Sequence, residues 1–578
     1  MNKIDPITRE VIRNALATAA DEMSMTLYRT AYSTVVRDCL DFATSLCNAD
    51  GEMIAQGVTI PQHLGSVPFA METLFEHFGD DMDPGDIFIM NDPFDGGMHI
   101  PDIFIVKPIF REGERVAFSV STAHHLDLGG RLPGSSACDN TEIFHDGFRI
   151  PWLKLWHQGE PDEAIFTLLR ANVRVPQMVI GDLRAQIAAC HTGEVAIHEL
   201  IDRYGPDNFA NYTDDLIDYT ERLIRSDIAS WPDGSYQFED YLDGDGVGGP
   251  AVRIQLKLTI DKDTLIADFT GTDPQVPGSL NSTYGFTTSA VALCVRSVLQ
   301  DDIPNTAGLF KPLNVIAPPG TVVNGTMPAA SSMRGVTGFR MVDIVFGALA
   351  QVVPDRVPAA GEGGNTLVIL GGERKDTSRY VYFELISGTW GGRPDRDGND
   401  GLCNPACYTC NIPIEQAECD YPVRIERYGL VCDSGGAGQF RGGLAVEREW
   451  TLLSKVAHLA IRSDRRDHLP YGLYGGKSGK GSINVLHQSN QQETLPTMIS
   501  TEMLSGQRLY HRQPGGGGWG DPLLRSNDAI VRDVKNGKVS IAATRDQYGV
   551  VIDEKDITIN TEATAKLQRT IRKTESTL

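Results

Sequence analysis

His99-Ile100-Pro101-Asp102-Ile103-Phe104-Ile105-Val106-Lys107-Pro108-Ile109-Phe110-Arg111-Glu112-Gly113-Glu114-Arg115-Val116-Ala117-Phe118-Ser119-Val120-Ser121-Thr122-Ala123-His124-His125 reads as a β-hairpin with polar chemistry at its open end. Residues 103–110 and 115–122 are rich in Ile, Val and Phe, as strands are. Between them, Arg111-Glu112-Gly113-Glu114 supplies a four-residue turn containing the glycine such turns favour. With Phe110 facing Arg115, the strands run antiparallel and Asp102 comes opposite His124, give or take one residue of register. His99, Asp102 and His124 then converge on one point. Two imidazoles and a carboxylate suit Zn2+, Mn2+ or Fe2+. The plainer reading is a set of hydrogen-bonding groups at a strand end. His125, next along the strand, points to the other face and is read as structural.

Working outward, Asp86–Met90 reads as a further strand, and Asn91-Asp92-Pro93-Phe94-Asp95-Gly96-Gly97 as a glycine-rich turn before His99. Asp92 is the candidate to orient a histidine, against an ordinary solvated carboxylate. Asp5-Pro6 opens a helix to about Thr30 with Ile7, Val11, Ala15, Ala19, Met23 and Leu27 as its apolar stripe. Just past it, Asp41 offers a fourth ligand or a simple turn carboxylate. A helix is expected over Val67–Phe78, and more helix over 163–204 with a break near Pro176. Residues 232–275 read as β, 283–300 and 335–353 as helices packed on that layer, and 420–520 as β with many glycine turns. The charged tail from about 562 lacks a core pattern and is expected to fray.

The fold class expected is α+β: multi-domain, with mixed helices and antiparallel sheets and a β-rich C-terminal half. The divisions are an N-terminal α+β metal-binding domain at 1–205, an α/β middle domain at 206–400, a β-rich domain at 401–525 and a C-terminal segment at 526–578 with a frayed tail.

A net charge of −24 opposes nucleic-acid binding. No run of about 18 apolar residues exists for a membrane span, and the N-terminus lacks a signal-type apolar stretch. Ten scattered cysteines form no dense disulfide framework, so the expected location is cytoplasmic with reduced thiols. Gly244-Asp245-Gly246-Val247-Gly248-Gly249 satisfies the dinucleotide-loop spacing, but follows an acidic run and leads into a strand. Gly475-Gly476-Lys477-Ser478 resembles the end of a phosphate loop, yet the glycine required upstream is Tyr471. Neither is read as a nucleotide site. Cys403, Cys407 and Cys410, with Cys419 nearby, lack paired zinc spacing and are read as free thiols.

Taken in order, further landmarks make the chain resemble the hydantoinase B/5-oxoprolinase family. They include Arg29-Thr30-Ala31-Tyr32-Ser33, Asp41-Phe42-Ala43, Ile60-Pro61-Gln62-His63-Leu64-Gly65-Ser66, His99-Ile100-Pro101-Asp102 and Ala123-His124-His125. Asp268-Phe269-Thr270-Gly271-Thr272, Asp433-Ser434-Gly435-Gly436 and Pro514-Gly515-Gly516-Gly517-Gly518-Trp519-Gly520 follow. The resemblance implies a subunit of an ATP-dependent amidohydrolase that opens hydantoin, 5-oxoproline or lactam rings. It implies that ATP is bound by a separate hydantoinase A-type subunit, in an (αβ)2 heterotetramer. It also implies that Asp41, His99, Asp102 and His124 ligate a divalent metal; four-coordinate N/O sites suit Zn2+, with Mn2+ the alternative, and Asp41, His99 and His124 are the expected catalytic residues. Related assemblies carboxylate acetone or acetophenone, which is the alternative activity.

Overall fold

The computed structural model describes residues 5–79, 81–299, 302–488 and 491–575. Its first layer is a seven-stranded antiparallel sheet in the spatial order Met53–Gln56, Phe42–Asn48, Glu114–His124, Asp102–Arg111, Ile87–Met90, Leu153–His157, Glu160–Pro161. The expected hairpin is its centre. Arg111 pairs with Glu114, so the turn is two residues long rather than four, with Glu112 (φ 52°) and Gly113 (φ 88°) both left-handed. This twist matches that of the flanking strands. The register shifts between Ile109 and Phe110, so that Phe110 faces Arg115 but Ile109 faces Ala117. That bulge at Val116 removes the one-residue uncertainty and sets Asp102 directly opposite His124.

Alternation along the strands gives the sheet two apolar faces. Ile103 and Ile105 pack beneath the helix Pro176–Tyr204. Phe104, Val106, Phe118 and Val120 pack on the other side with the helix Val67–Phe78. The first helix, Pro6–Thr30, starts as expected, with the Asp5 carboxylate accepting from the Thr8 amide at 2.9 Å. Its expected stripe is buried in the second half, at Ala19, Met23 and Leu27, and not in the first. Ile7 and Val11 are exposed, and Ile12, Leu16, Ala19, Ala20, Met23 and Leu27 face the core. A spacing of four drifts off one face because a helical turn takes 3.6 residues.

The second sheet runs Leu313–Ile316, Thr264–Asp268, Val252–Asp261, Gly234–Leu242, with a parallel pairing only between the first two. The apolar helices Tyr284–Val298 and Arg334–Leu349 cover it. Two further antiparallel sheets face each other around Trp450, Tyr382, Leu370 and Leu459. One contains Arg379–Leu385, Leu367–Glu373, Val456–Arg462 and Met498–Leu504. The other contains Val423–Leu430, Val446–Leu452, Arg508–Arg512, Ile483–Gln488 and Gln491–Leu495. The molecule is thus α+β, with antiparallel sheets and a β-rich C-terminal half.

The glycine runs there are not mainly turns. Gly515–Gly518 passes through the middle of a bundle of extended segments. Gly515 donates to Lys480, Gly516 to Gly443, Gly517 to Ala360 and Gly518 to Lys477, all between backbone groups at 2.8–3.0 Å. Residues three apart, 515 and 518, return to the same neighbouring segment, which is the period of an extended three-fold helix. A Cβ on Gly515, Gly516, Gly517 or Gly518 would sit 1.9–2.2 Å from a neighbouring carbonyl oxygen. Only glycine permits that approach. The tail also departs from expectation. Thr561–Glu575 forms a helix, and Ile571 packs near Gly549.

Candidate metal centre

Residues from three layers line one small cavity, of about 40 Å3, where the first sheet meets the helix Arg334–Leu349 and the third sheet. The hairpin's open end lines it with His99 and His124, and Asp102 lies against them, the ligand atoms of all three within 4.8 Å of one another. All three are buried, at 2%, 0% and 5% exposure. They form the one cluster of three or more His, Cys, Asp or Glu side chains so disposed among the described residues. Cys403, Cys407, Cys410 and Cys419 form no such group among the described residues and are in no disulfide.

His99 Nε2 lies 3.1 Å from Asp102 Oδ2, and the His99 and His124 rings are 5.1 Å apart. His99 Nδ1 sits 3.3 Å from the Ser332 carbonyl. With its proton on Nδ1 and donated there, Nε2 keeps its lone pair for the cavity. Asp146 fixes that carbonyl's loop, accepting from the Ser331 and Ser332 amides at 2.8 and 3.0 Å. The orienting role expected of Asp92 therefore belongs elsewhere. The Asp92 carboxylate caps the Phe94 amide at 3.0 Å and faces Arg149 at 3.6 Å. His125 is structural, as expected, with Nε2 2.9 Å from Gln186 Oε1 on the opposite face.

Asp41 lines the same cavity but lies outside the three-residue cluster. Its nearest charged-type partner is His63, with Nε2 3.7 Å from Asp41 Oδ1 and 3.9 Å from Asp102 Oδ2. His63 stands on the short helix Pro61–Leu64 and is not among the expected site residues. Arg334, also unforeseen, ion-pairs with Asp102 and lies 4.1 Å over the Phe286 ring. Arg462 completes the wall from the end of the third sheet, donating to the backbone oxygen of Asn365 at 2.9 Å and to its side-chain oxygen. Phe383 packs on His124 at 4.7 Å.

Burial shapes the protonation of this set. It lowers His99 to about 4, with Arg334 adding to the effect. It lowers His63 to about 4 against the pull of Asp102. His124 falls well below its ordinary value through burial and then through His99. Burial opposes ionisation of Asp102, but the attraction of His99, Arg334 and His63 outweighs it and holds the carboxyl well below its usual range, and of the three it is Arg334, ion-paired to Asp102, that is charged at neutral pH. Asp41 moves the other way, to about 8, through burial and then repulsion from Asp102. Neutral imidazoles beside an ionised carboxylate are the protonation states metal ligation requires. His99 Nε2, His124 Nδ1 and Asp102 Oδ1 are buried without a hydrogen-bond partner in the protein. Unspent buried polar atoms are costly, and three on one cluster fit a divalent cation.

The two glycine stretches that mimic nucleotide loops do not precede helices. Residues 244–249 connect the strands Gly234–Leu242 and Val252–Asp261, and the Lys477 amide is spent on Ala437 at 2.7 Å. No helix among the described residues is long and apolar enough to cross a membrane.

Comparison with known proteins agrees along the whole chain. The hydantoinase B/oxoprolinase family matches residues 5–522. The caprolactamase beta subunit of Pseudomonas jessenii is 36% identical, covering 96% of this chain and 97% of that one. A putative D-/L-hydantoinase subunit of Pseudomonas sp. (strain NS671) is 32% identical, covering 98% and 99%. The crystal structure of the ATP-dependent caprolactamase from Pseudomonas jessenii superposes with a TM-score of 0.91 at 34% identity, covering 98% of this chain and 100% of that one. An acetone carboxylase shares the fold, with a TM-score of 0.90 at 20% identity over 99% of this chain and 84% of that one. The chain belongs to the hydantoinase B/oxoprolinase family.

Proposed function

We propose that this chain is the metal-carrying subunit of an ATP-dependent enzyme that hydrolyses cyclic amides, opening a hydantoin, 5-oxoproline or lactam ring. ATP is bound by a separate hydantoinase A-type subunit, in an (αβ)2 heterotetramer. The observation that carries this reading is the cluster of His99, Asp102 and His124, with ligand atoms within 4.8 Å of one another and a buried side-chain atom on each that has no hydrogen-bond partner, in a chain similar to a caprolactamase subunit. His99, His124 and Asp102 hold the cation, with Asp41 as fourth ligand. The N/O donor set suits Zn2+, with Mn2+ the alternative. When bound, such a cation supplies a water of lowered pKa and polarises the carbon–oxygen group under attack.

The chain's own residues do the rest. An unstrained amide resists attack because resonance strengthens its C–N bond, so coupling to ATP offsets that barrier. Arg334 pins the Asp102 carboxylate. Phe286 and Phe383 form apolar walls that keep bulk water out. Asp41, where it is not a ligand, takes the proton of the attacking water on its carboxylate oxygen.

The test is to co-purify the chain with its hydantoinase A-type partner and screen cyclic amides. ATP-dependent ring opening supports the reading, and turnover of none of them contradicts it. A ketone-carboxylating role is the second reading, drawn from the fold shared with acetone carboxylase. Supplying the same complex with ATP, acetone and bicarbonate separates the two.

A further inference from the structure

The cavity that gathers unpartnered acceptors also gathers unpartnered donors. Gln62 Nε2 and Arg334 Nε are buried with no hydrogen-bond partner in the protein, and both residues line the cavity beside His99 and His124. Arg462 lines it too, at 5% exposure. Its nitrogens reach the two oxygens of Asn365 and the Met333 sulfur, and no carboxylate among the described residues forms an ion pair with it. A buried charge normally has an opposite charge against it. Arg334 cannot share its own counter-ion, because Asp102 is also a member of the cation cluster.

The balance of charge leads the same way. With Asp41 and Asp102 both ionised, they balance only Arg334 and Arg462. A divalent cation then adds two positive charges that no further carboxylate lining the cavity offsets. Hydroxide accounts for one of them at most. The donors and the residual charge both call for an anion.

We propose that Gln62, Arg334 and Arg462 form an oxyanion subsite, which holds an anionic group of the reacting molecule next to the cation. The ligand class is a small oxyanion: a phosphoryl group on the activated amide, or a carboxylate on the ring. This deepens the function proposed above and rests on it only for the cation's share of the charge. Arg462 is the anchor of the subsite: three of its five N–H groups reach Asn365 and Met333, which leaves one on each terminal nitrogen, the pair a guanidinium offers to phosphate or carboxylate. At about 40 Å3, where one water needs about 10–15 Å3, the cavity has room for the cation and roughly two oxygen-sized groups beside it.

The experiment titrates the full chain with inorganic phosphate, and separately with acetate, following heat release, with metal content measured on the same samples. Saturable binding of either anion supports the subsite, and the tighter of the two identifies the group it serves. Arg462→Met should weaken that binding at least about tenfold, the loss expected for hydrogen bonds to a charged group, while metal content stays unchanged. Arg462→Lys should recover part of it. Gln62→Leu provides an independent reading if Arg462→Met does not fold, because it removes a donor that has no protein partner to orphan, and it should weaken binding severalfold. Equal affinity in the wild type and the folded variants, or no binding by the wild type of either anion, overturns the subsite. A chain that binds phosphate through Arg462 but holds no stoichiometric metal would instead defeat the metal reading and leave the subsite standing.

Discussion

His124 and His125 are adjacent in sequence and opposite in role. His124 lines the cavity, whereas His125 is bonded through Nε2 to Gln186 beneath the long helix. Replacing His99 or His124 with Ala should abolish stoichiometric metal and ring opening together, measured by elemental analysis and turnover of the complex. His125→Ala should leave metal content intact and lower stability by about 1–3 kcal/mol, because it orphans the buried Gln186 oxygen; a thermal melt checks it. Arg334→Met should weaken metal binding roughly 10–100-fold, as loss of a residue that holds a ligand in place does. An unchanged metal affinity would show that Asp102 needs no such support. At this scale the sequence is only partly legible. His99, Asp102 and His124 share one hairpin, so local pairing rules reach them. His63, Arg334 and Arg462 arrive from other elements, and nothing in their local sequence marks them. Only His63 carries a faint signal, as a histidine just after a helix-starting proline in a family landmark.

Among elements, the hairpin and the glycine bundle define what the local rules capture and miss. Strand composition and the turn glycine locate the hairpin, but the bulge at Val116 is a tertiary adjustment that composition does not encode. Glycine runs suggest turns because glycine does serve turns, whereas here it permits backbone packing at distances no side chain survives. Gly516→Ala or Gly517→Ala should therefore cost more than about 3 kcal/mol, beyond the usual range for overpacking, and a urea melt would show this as a large drop in midpoint. The sandwich of the third and fourth sheets carries a pH dependence of its own. Burial, and then Arg466 and Arg512, lower His511 to about 3, while its Nδ1 lies 2.7 Å from Asn484 Oδ1. The unfolded chain binds that proton near pH 6.5. The stability due to neutral His511 is thus fully present above that pH and is lost progressively as pH falls toward 3. Stability of His511→Gln should fall less steeply than wild type between pH 7 and pH 5; parallel curves would assign the decline to other groups.

For the whole molecule, the candidate site is a junction. Its lining comes from stretches expected to belong to N-terminal, middle and β-rich parts of the chain, represented by His99, Arg334 and Arg462. A cation there would tie three layers together and stabilise only the folded state. At a free metal concentration 1,000 times its dissociation constant, that linkage is worth about 4 kcal/mol. Chelation should lower the melting temperature of the wild type and leave that of His99→Ala unmoved. The most direct measurement is anomalous diffraction from crystals of the metal-loaded chain, collected on both sides of the zinc absorption edge. A single strong peak about 2.0–2.2 Å from His99, His124 and Asp102 is the predicted result. An ordered site without a peak there, or a stoichiometric ion bound elsewhere, would contradict it.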